Sequence, residues 1–327
     1  MLNHPLPRID KDEKLRKLLL PYCRFKNGTV WNDDLNRHKI ACFDVENKTA
    51  IKNVFGKIKA KLSIQDPPYN FIAFAEKKSE EFVLWCENWI QTNVEISEKN
   101  SSFYFWLGAD QANNFEPFAE FILMLKKSGL KSRSFITMRN QRGYGTQKNW
   151  MSIRQELLYY IKGKPVFNIG SEYTDIPKIL KGYYKEVGGD ITENSERSKS
   201  KFIRAGNVWI DVQQVFYRME ENVNGCFAQK PLKSIKRIIE ASSNKNDLVT
   251  DFFSHSGTTL IAGEILDRKC IIFDIEPVFC EITLRRLENL RKTGKSGWQN
   301  SNPFYNEIIN DKKILDHLKK KYKIIYN

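Results

Sequence analysis

The chain has 327 residues, enough for one large hydrophobic core or one core with a small additional domain. Hydrophobic residues make up 41% and charged residues 28%, which is typical of a folded globular protein and argues against long disordered regions. The net charge of +14 favours a polyanionic partner, nucleic acid before a membrane surface, although a basic protein without such a partner has the same composition.

Alternating short apolar runs and longer amphipathic stretches predict an α/β fold. In the first half we expect strands at 60–65, 102–107, 135–138 and 157–161, and helices at 71–92 and 118–127. Residues 170–226 lose this periodicity, and polar side chains dominate 192–201. This change predicts a substrate-specific insertion or a small domain.

Regular structure is expected to resume after residue 229. The pattern predicts a helix at 230–241, a strand at 248–253, a Ser/Gly turn, a helix at 258–266 and a strand at 270–274. The last strand–helix–strand group is a βαβ unit of the dinucleotide-binding type. The Lys-rich residues 312–323 are interpreted as a solvated helix face rather than a binding tail.

The cysteines and histidines do not form a metal-binding pattern. No two of the six cysteines have CxxC spacing and most have apolar neighbours, so we expect buried, reduced thiols. The four histidines are too scattered to complete a metal site. We find no signal-peptide core and no apolar run of membrane-spanning length, and therefore expect a cytoplasmic protein without a membrane partner.

The turn of the βαβ unit has the sequence DFFSHSGTT, from Asp251 to Thr259. Small residues at the end of a strand let the backbone approach a nucleoside cofactor, and the next helix directs its first amides at it. Asp274 ends the following strand, where an acidic residue can accept hydrogen bonds from both ribose hydroxyls. The alternative is a tight Ser/Gly turn with an ordinary strand-end aspartate.

A second constellation, DPPYN at 66–70, follows the strand at 60–65. Two prolines fix the backbone and remove two N–H donors, so that carbonyls and the Asp66 carboxylate remain as acceptors. Such acceptors suit an exocyclic amino group, whose lone pair must be drawn out of the ring before it attacks. Tyr69 offers a face on which an extruded base can stack. The alternative is a strand-terminating turn with a packed tyrosine.

Together these two segments resemble the β class of DNA amino-methyltransferases, in which the DPPY motif precedes the cofactor motif. The resemblance covers about residues 38–290 and implies a Rossmann-like fold, with a mixed seven-stranded sheet, helices on both faces and a target-recognition insertion. It divides the chain into an N-terminal extension (1–37), a catalytic half (38–168), a target-recognition segment (169–228), a cofactor-binding half (229–290) and a basic C-terminal extension (291–327).

The resemblance also implies site residues and S-adenosylmethionine as the cofactor. The catalytic residues would be Asp66, Pro67, Pro68 and Tyr69. Asp44 would contact the cofactor's adenine, Lys230 would begin the helix over its methionine end, and Asp274 would bind its ribose. The remaining cofactor-binding residues would be Asp251, Phe253, Ser254, Ser256, Gly257 and Thr258.

One position departs from the family pattern. The cofactor loop of the family usually reads F-x-G-x-G, and His255 replaces the first glycine. A side chain there narrows the space over the cofactor and requires a permitted backbone conformation. Either Gly257 alone makes the close approach, as a subfamily variation, or the cofactor site is weakened or inactive.

A basic segment follows the catalytic strands. Residues 126–164 contain ten Lys or Arg and one acidic residue, Glu156. Their arginines, glutamines and asparagines are of the types that contact phosphates and base edges. We expect DNA contacts at Arg139, Arg142, Lys148 and Arg154; the alternative is a solvated basic loop.

The resemblance implies direct methyl transfer to the N6 of a flipped adenine in double-stranded DNA, by the modification enzyme of a restriction-modification system. Aspartate at position 66 favours adenine over cytosine N4, which stays the alternative. A second alternative is a non-catalytic DNA-binding protein on a decayed methyltransferase scaffold, favoured only by His255. A homodimer and a cognate restriction endonuclease are further expected partners.

Overall fold

The computed structural model describes residues 6–68, 78–108, 114–144, 150, 152–168, 173–177, 182–195 and 201–326. Its helices are α1 Glu13–Leu19, α2 Lys48–Phe55, α3 Ser79–Glu95, α4 Phe118–Leu125, α5 Leu232–Ser242, α6 Thr258–Ile265, α7 Pro277–Thr293, α8 Tyr305–Asn310 and α9 Lys312–Tyr322. Its strands are β1 Val30–Asn32, β2 His38–Cys42, β3 Ala60–Gln65, β4 Ser97–Leu107, β5 Lys131–Tyr144, β6 Ser152–Lys162, β7 Tyr173–Pro177, β8 Gly182–Val187, β9 Asp190–Ser195, β10 Phe202–Arg204, β11 Val208–Trp209, β12 Leu248–Asp251 and β13 Lys269–Asp274.

Seven strands form the central part of one mixed sheet, in the order β2-β13-β12-β3-β4-β6-β5. Of these seven, β6 is antiparallel to both of its neighbours, and the other pairs are parallel. The short strands β1 and β11 extend the two edges. The predicted α/β fold with a mixed seven-stranded sheet is therefore confirmed.

Apolar side chains on the two faces of the sheet form separate cores. Strand β4 shows the alternation: Tyr104 and Trp106 pack with α5, α6 and α7, whereas Phe103 and Phe105 pack with α2, α3 and α4. Successive strand residues point to opposite faces, and both faces of a largely parallel sheet are covered by helices. The carboxyl ends of the parallel strands are left for a binding cleft.

A third core joins α1, α8 and α9 to one face of α7. Asp12 is buried there and is hydrogen-bonded to the His317 ring at 2.8 Å and to the Tyr322 hydroxyl at 2.7 Å. Ile314 and Leu318 of α9 are also buried. The Lys-rich stretch is thus an amphipathic helix with one packed face, whereas the sequence analysis predicted only its solvated face.

Two other predicted regions differ in extent. Strands β5 and β6 are longer than predicted and form a hairpin, and the helix predicted at 71–92 is described as α3 from Ser79 onward. Residues 173–177, 182–195 and 201–209, within the predicted insertion, contain β7 to β11. Strand β7 pairs with β10, β8 with β9, and β11 joins the main sheet. None of the helices described has the length and hydropathy needed to cross a bilayer.

Candidate active site

The two motifs meet because their strands are neighbours in the sheet. Strands β3 and β12 are parallel and adjacent, so Asp66, which follows β3, lies beside the turn that follows β12. The Gln65 side chain accepts a hydrogen bond from the Phe252 amide at 3.0 Å and ties the two strand ends together. A cleft of about 460 Å³ opens here, and its lining includes Asp44, Asp66, Pro67, Pro68, Lys230, Phe253, His255 and Asp274.

Asp66 forms an ion pair with Lys230 in this cleft. The Lys230 Nζ lies 2.6 Å from the Asp66 Oδ2 and 5.5 Å from the centroid of the Trp106 ring. Lys230 is buried and stands just before α5, where Pro231 provides the N-cap. The two side chains therefore form a charge-assisted hydrogen bond that fixes the position of the Asp66 carboxylate.

Asp251 fastens the turn to α6. Its carboxylate accepts hydrogen bonds from the Phe253 amide at 2.9 Å and from the Thr259 hydroxyl at 2.6 Å. Burial raises the pKa of Asp251 to about 7. With Ser254, Ser256 and Thr258 it lines a small cavity that also contacts Asp66 and Lys230. Asp251 therefore lies behind the main cleft and supports its wall.

Asp274 lies in the main cleft at the end of β13. One carboxylate oxygen accepts the His255 amide at 2.8 Å and the other accepts the Glu276 amide at 2.9 Å. Burial raises the pKa of Asp274 to about 6. Two backbone donors thus fix the orientation of this carboxylate before any ligand is bound.

His255 and Gly257 both have left-handed backbones, with φ of +46° and +74°. A Cβ on Gly257 would lie 2.6 Å from the Thr283 Cγ2, so a glycine is required there. The His255 ring instead packs edge-on against Phe279, with centroids 4.6 Å apart, and burial lowers its pKa to about 4. The histidine keeps the backbone geometry that a glycine would adopt, and its ring is neutral at neutral pH.

Several features of the cleft fit a nucleoside cofactor. The Ser254 hydroxyl, which borders the small cavity beside the cleft, is buried and has no hydrogen-bond partner among the described residues. Phe253 is held by Trp89 and Trp85, at ring-centroid distances of 5.1 Å and 5.7 Å. Together with the carboxylate of Asp274, these groups supply an apolar wall and polar contacts suited to a base and a ribose.

Other lining residues were not identified in the sequence. They are Arg8, Asp10, Val45, Glu46, Trp85, Phe227, Ala228, Phe252, Ile275, Glu276 and Phe279. Glu276 and Ile275 follow Asp274 directly, and this position could have indicated them. Arg8 and Asp10 come from the far end of the chain, and no motif marks them.

The basic residues lie on the β5–β6 hairpin. Arg139 and Arg154 are exposed and oppose each other in the ladder, and the Arg154 Nε lies 2.8 Å from a Glu156 oxygen. Strand β5 runs in the same direction as β3 and β4, so Arg139 lies towards the edge of the sheet where Asp66 is found. Arg142 belongs to β5, but its side chain lies outside the described part, as do Lys148 and Tyr69.

Residues 60–285 match the family model of the N6/N4 DNA methylases. The chain belongs to this DNA methylase family. The methylase is 28% identical to the type II methyltransferase M.BamHI of Bacillus amyloliquefaciens, over 84% of its own length and 60% of that relative. It is 32% identical to the type II methyltransferase M1.MboII of Moraxella bovis, over 73% of its own length and 90% of that relative.

Solved structures agree with this assignment at the level of the fold. The M1.HpyAVI–S-adenosylmethionine complex matches the methylase with a TM-score of 0.53 at 18% identity, over 76% of this chain and 98% of that one. The β-class resemblance inferred from DPPYN and the cofactor turn is thereby confirmed, and so is S-adenosylmethionine as the cofactor of the family. The methylase spans about three fifths of the length of M.BamHI.

Proposed function

We propose that the methylase transfers a methyl group from S-adenosylmethionine to the N6 of adenine in double-stranded DNA, as the modification enzyme of a restriction-modification system. The observation that carries this proposal is the Asp66 carboxylate, paired with Lys230 and standing in the same cleft as Asp274. The type II relatives support the restriction-modification context.

The cofactor supplies an electrophilic methyl group on a sulfonium sulfur. We propose that Asp274 accepts hydrogen bonds from the ribose hydroxyls, for which its carboxylate is already oriented by two amides. Asp44 would contact the adenine of the cofactor, and Lys230 would lie near the methionine end of the cofactor. The turn residues Phe253, Ser254, Ser256, Gly257 and Thr258 would form the floor, with Asp251 holding that turn in shape.

The chemistry proposed for the target base is direct transfer. A flipped adenine would stack on Tyr69 and present its amino group to the Asp66 carboxylate and the Pro67 carbonyl. These acceptors draw on the N–H bonds and direct the nitrogen lone pair at the methyl group. As the N–C bond forms, the C–S bond of the sulfonium would break, S-adenosylhomocysteine would leave, and the amino group would lose one proton to solvent. Pro68 keeps the loop rigid. Lys230 acts as a positioning residue by holding Asp66. The rate enhancement comes from orientation and electrostatics, without a covalent enzyme intermediate.

DNA would approach the edge of the sheet at which Asp66 and the β5–β6 hairpin lie. Arg139 and Arg154 are exposed like charges opposite each other, an arrangement that a phosphate between them would stabilise. Arg142 and Lys148 are proposed to extend this surface. We propose a cytoplasmic location, which the bacterial type II relatives support. We also propose a homodimer and a cognate restriction endonuclease as partners.

The test is to incubate the methylase with S-adenosylmethionine and unmethylated plasmid DNA, then to digest the DNA to nucleosides and analyse them by mass spectrometry. We expect N6-methyladenine, and methylation-sensitive sequencing of the same DNA would identify the site. N4-methylcytosine instead would establish the cytosine alternative. DNA binding without either product would favour the decayed scaffold.

A further inference from the structure

One wall of the cofactor cleft is formed by residues 6–12, called the arm below, which lie outside the family-matched residues 60–285. Arg8 and Asp10 of the arm line the cleft together with Phe227 and His255. A segment that only covered the cleft would need neither the positive charge of Arg8 nor the negative charge of Asp10. The arm therefore raises the question of what a paired cation and anion contribute to this site.

The arm is fixed in place. The Ile9 amide donates to the Gly225 carbonyl at 3.0 Å, and the side chains of Leu6 and Ile9 are buried. Gly225 has φ of +97°, and a Cβ there would lie 2.8 Å from Leu6, so the two segments pack closely. The Arg16 Nη1 donates to the carbonyls of Ile9 and Asp10, each at 2.8 Å. Arg8 and Asp10 thus occupy set positions in the cleft wall.

The two charges are adjacent and oriented. The Arg8 Nε donates to the Asp10 Oδ1 at 3.1 Å, and its guanidinium stacks 3.8 Å from the centroid of the Phe227 ring. Burial acts to raise the pKa of Asp10, but the hydrogen bond and charge of Arg8 outweigh it and hold that pKa below its usual value. The Arg8 Nη1 makes no hydrogen bond within the described residues, and an arginine has donors to spare beyond one carboxylate.

A fixed cation beside a fixed anion complements a zwitterion. S-adenosylmethionine ends in an α-amino acid group, which carries an ammonium and a carboxylate on one carbon. Asp44 and Asp274 are assigned to the nucleoside end of the cofactor in the function proposed above. Arg8, by contrast, stacks on Phe227, which lies three residues before Lys230 and lines the same cleft. Lys230 is the residue assigned to the methionine end. The pair thus stands in the part of the cleft where the methionine end is expected.

We propose that the arm completes the cofactor site, with Arg8 binding the carboxylate and Asp10 the ammonium group of the amino acid end of S-adenosylmethionine. This inference rests on the proposed function for the orientation of the cofactor. It makes the arm a determinant of ligand selection, since a nucleoside without the amino acid group gains nothing from it.

The test is calorimetric titration of the full chain with S-adenosylhomocysteine, which keeps the amino acid group, and with 5′-methylthioadenosine, which lacks it. We expect Arg8→Ala to raise the Kd for S-adenosylhomocysteine about 10- to 100-fold, because a charge-assisted contact is lost. The same variant should change the Kd for 5′-methylthioadenosine by less than about threefold. Lys11→Ala, which removes an exposed cation of the same arm, is the matched control and should change neither Kd.

Asp10→Asn is a second, isosteric variant. It should raise the Kd for S-adenosylhomocysteine selectively, by about tenfold, because the contact with the ammonium group is lost. The inference would be overturned if Arg8→Ala raised the Kd for both ligands equally, or if its Kd values equalled those of Lys11→Ala. Either result would leave the proposed methylation intact. If the unaltered protein bound neither ligand, the proposed function would fail as well, and the two failures are therefore distinguishable. Melting of each variant without ligand checks that the arm is still folded.

Discussion

The cofactor turn and the basic hairpin hold their charged groups in opposite ways. Asp251 and Asp274 are buried, and each carboxylate accepts two hydrogen bonds from the protein itself. Arg139 and Arg154 are exposed and face each other across a ladder. The cofactor half is thus organised before its ligand arrives. The hairpin instead presents exposed arginines to a partner that brings phosphates, although Arg154 is also paired with Glu156. Substitutions in the two regions should therefore impair different properties of the enzyme.

The largest effect is expected at Asp66, which lies in the cofactor cleft and at the same edge of the sheet as Arg139. Asp66→Ala should lower the methyl transfer rate by about a thousandfold or more, because the acceptor for the target amino group is removed. Cofactor affinity and DNA affinity should each stay within about threefold. The measurements are single-turnover transfer of labelled methyl groups, calorimetry and a gel-shift titration. Loss of DNA binding along with transfer would make the loop a structural element.

The next effect concerns a preorganised acceptor. Asp274→Asn should raise the Kd for S-adenosylhomocysteine by about 10- to 100-fold, since an amide accepts the ribose hydroxyls less well than a carboxylate. For the unaltered protein, affinity should also fall as the pH drops through about 6, where Asp274 gains a proton. Calorimetry at pH 5 and pH 8 measures both. Asp267→Asn, an exposed carboxylate just before β13, is the control. Unchanged affinity in Asp274→Asn would remove this residue from the ribose site.

Burial of Asp251 should appear as a pH-dependent stability. The pKa of this carboxyl is raised in the folded state, so its effect on the free energy of unfolding depends on pH. Below its unfolded pKa of about 4 it has no effect, and as the pH rises to about 7 it destabilises the folded protein increasingly. Asp251→Asn should therefore gain about 2–3 kcal/mol in unfolding free energy relative to the unaltered protein between pH 5 and pH 8. Urea denaturation at both pH values measures this gain. A parallel pH dependence in both proteins would contradict the buried charge.

The smallest effect is expected on the hairpin. Arg139→Ala should weaken DNA binding only a few-fold and reduce the slope of log K against log salt by about one, because one phosphate contact is lost. Lys131→Ala, an exposed cation at the opposite end of β5, should leave the slope unchanged. Fluorescence anisotropy over a salt series compares the two. An equal slope for both variants would remove Arg139 from the DNA surface.

The central fold and the main motifs could be predicted because they depend on local sequence. Asp66 and Asp274 stand at the ends of buried strands, and parallel neighbouring strands bring such residues together. The exact end of β12 could not be predicted. Phe252 and Phe253 continue its apolar run, but the Asp251 carboxylate binds the Phe253 amide and turns the chain.

The residues that were missed depend on tertiary contacts between distant segments. Nothing near Arg8 indicates that it reaches the cofactor cleft, since its position is set by packing against Gly225 and α1. The packed face of α9 was hidden for a different reason. Ile314 and Leu318 are separated by one helical turn, but the surrounding lysines dominate the composition.

The buried Asp12 joins two segments that lie far apart in the chain. Its carboxylate is hydrogen-bonded to the ring of His317, 305 residues later in the sequence. Asp12 ends the arm, so α9 adds to the contacts that Gly225 and Arg16 already make with the arm. A wall of the cofactor cleft is thus anchored to a helix that does not itself line that cleft.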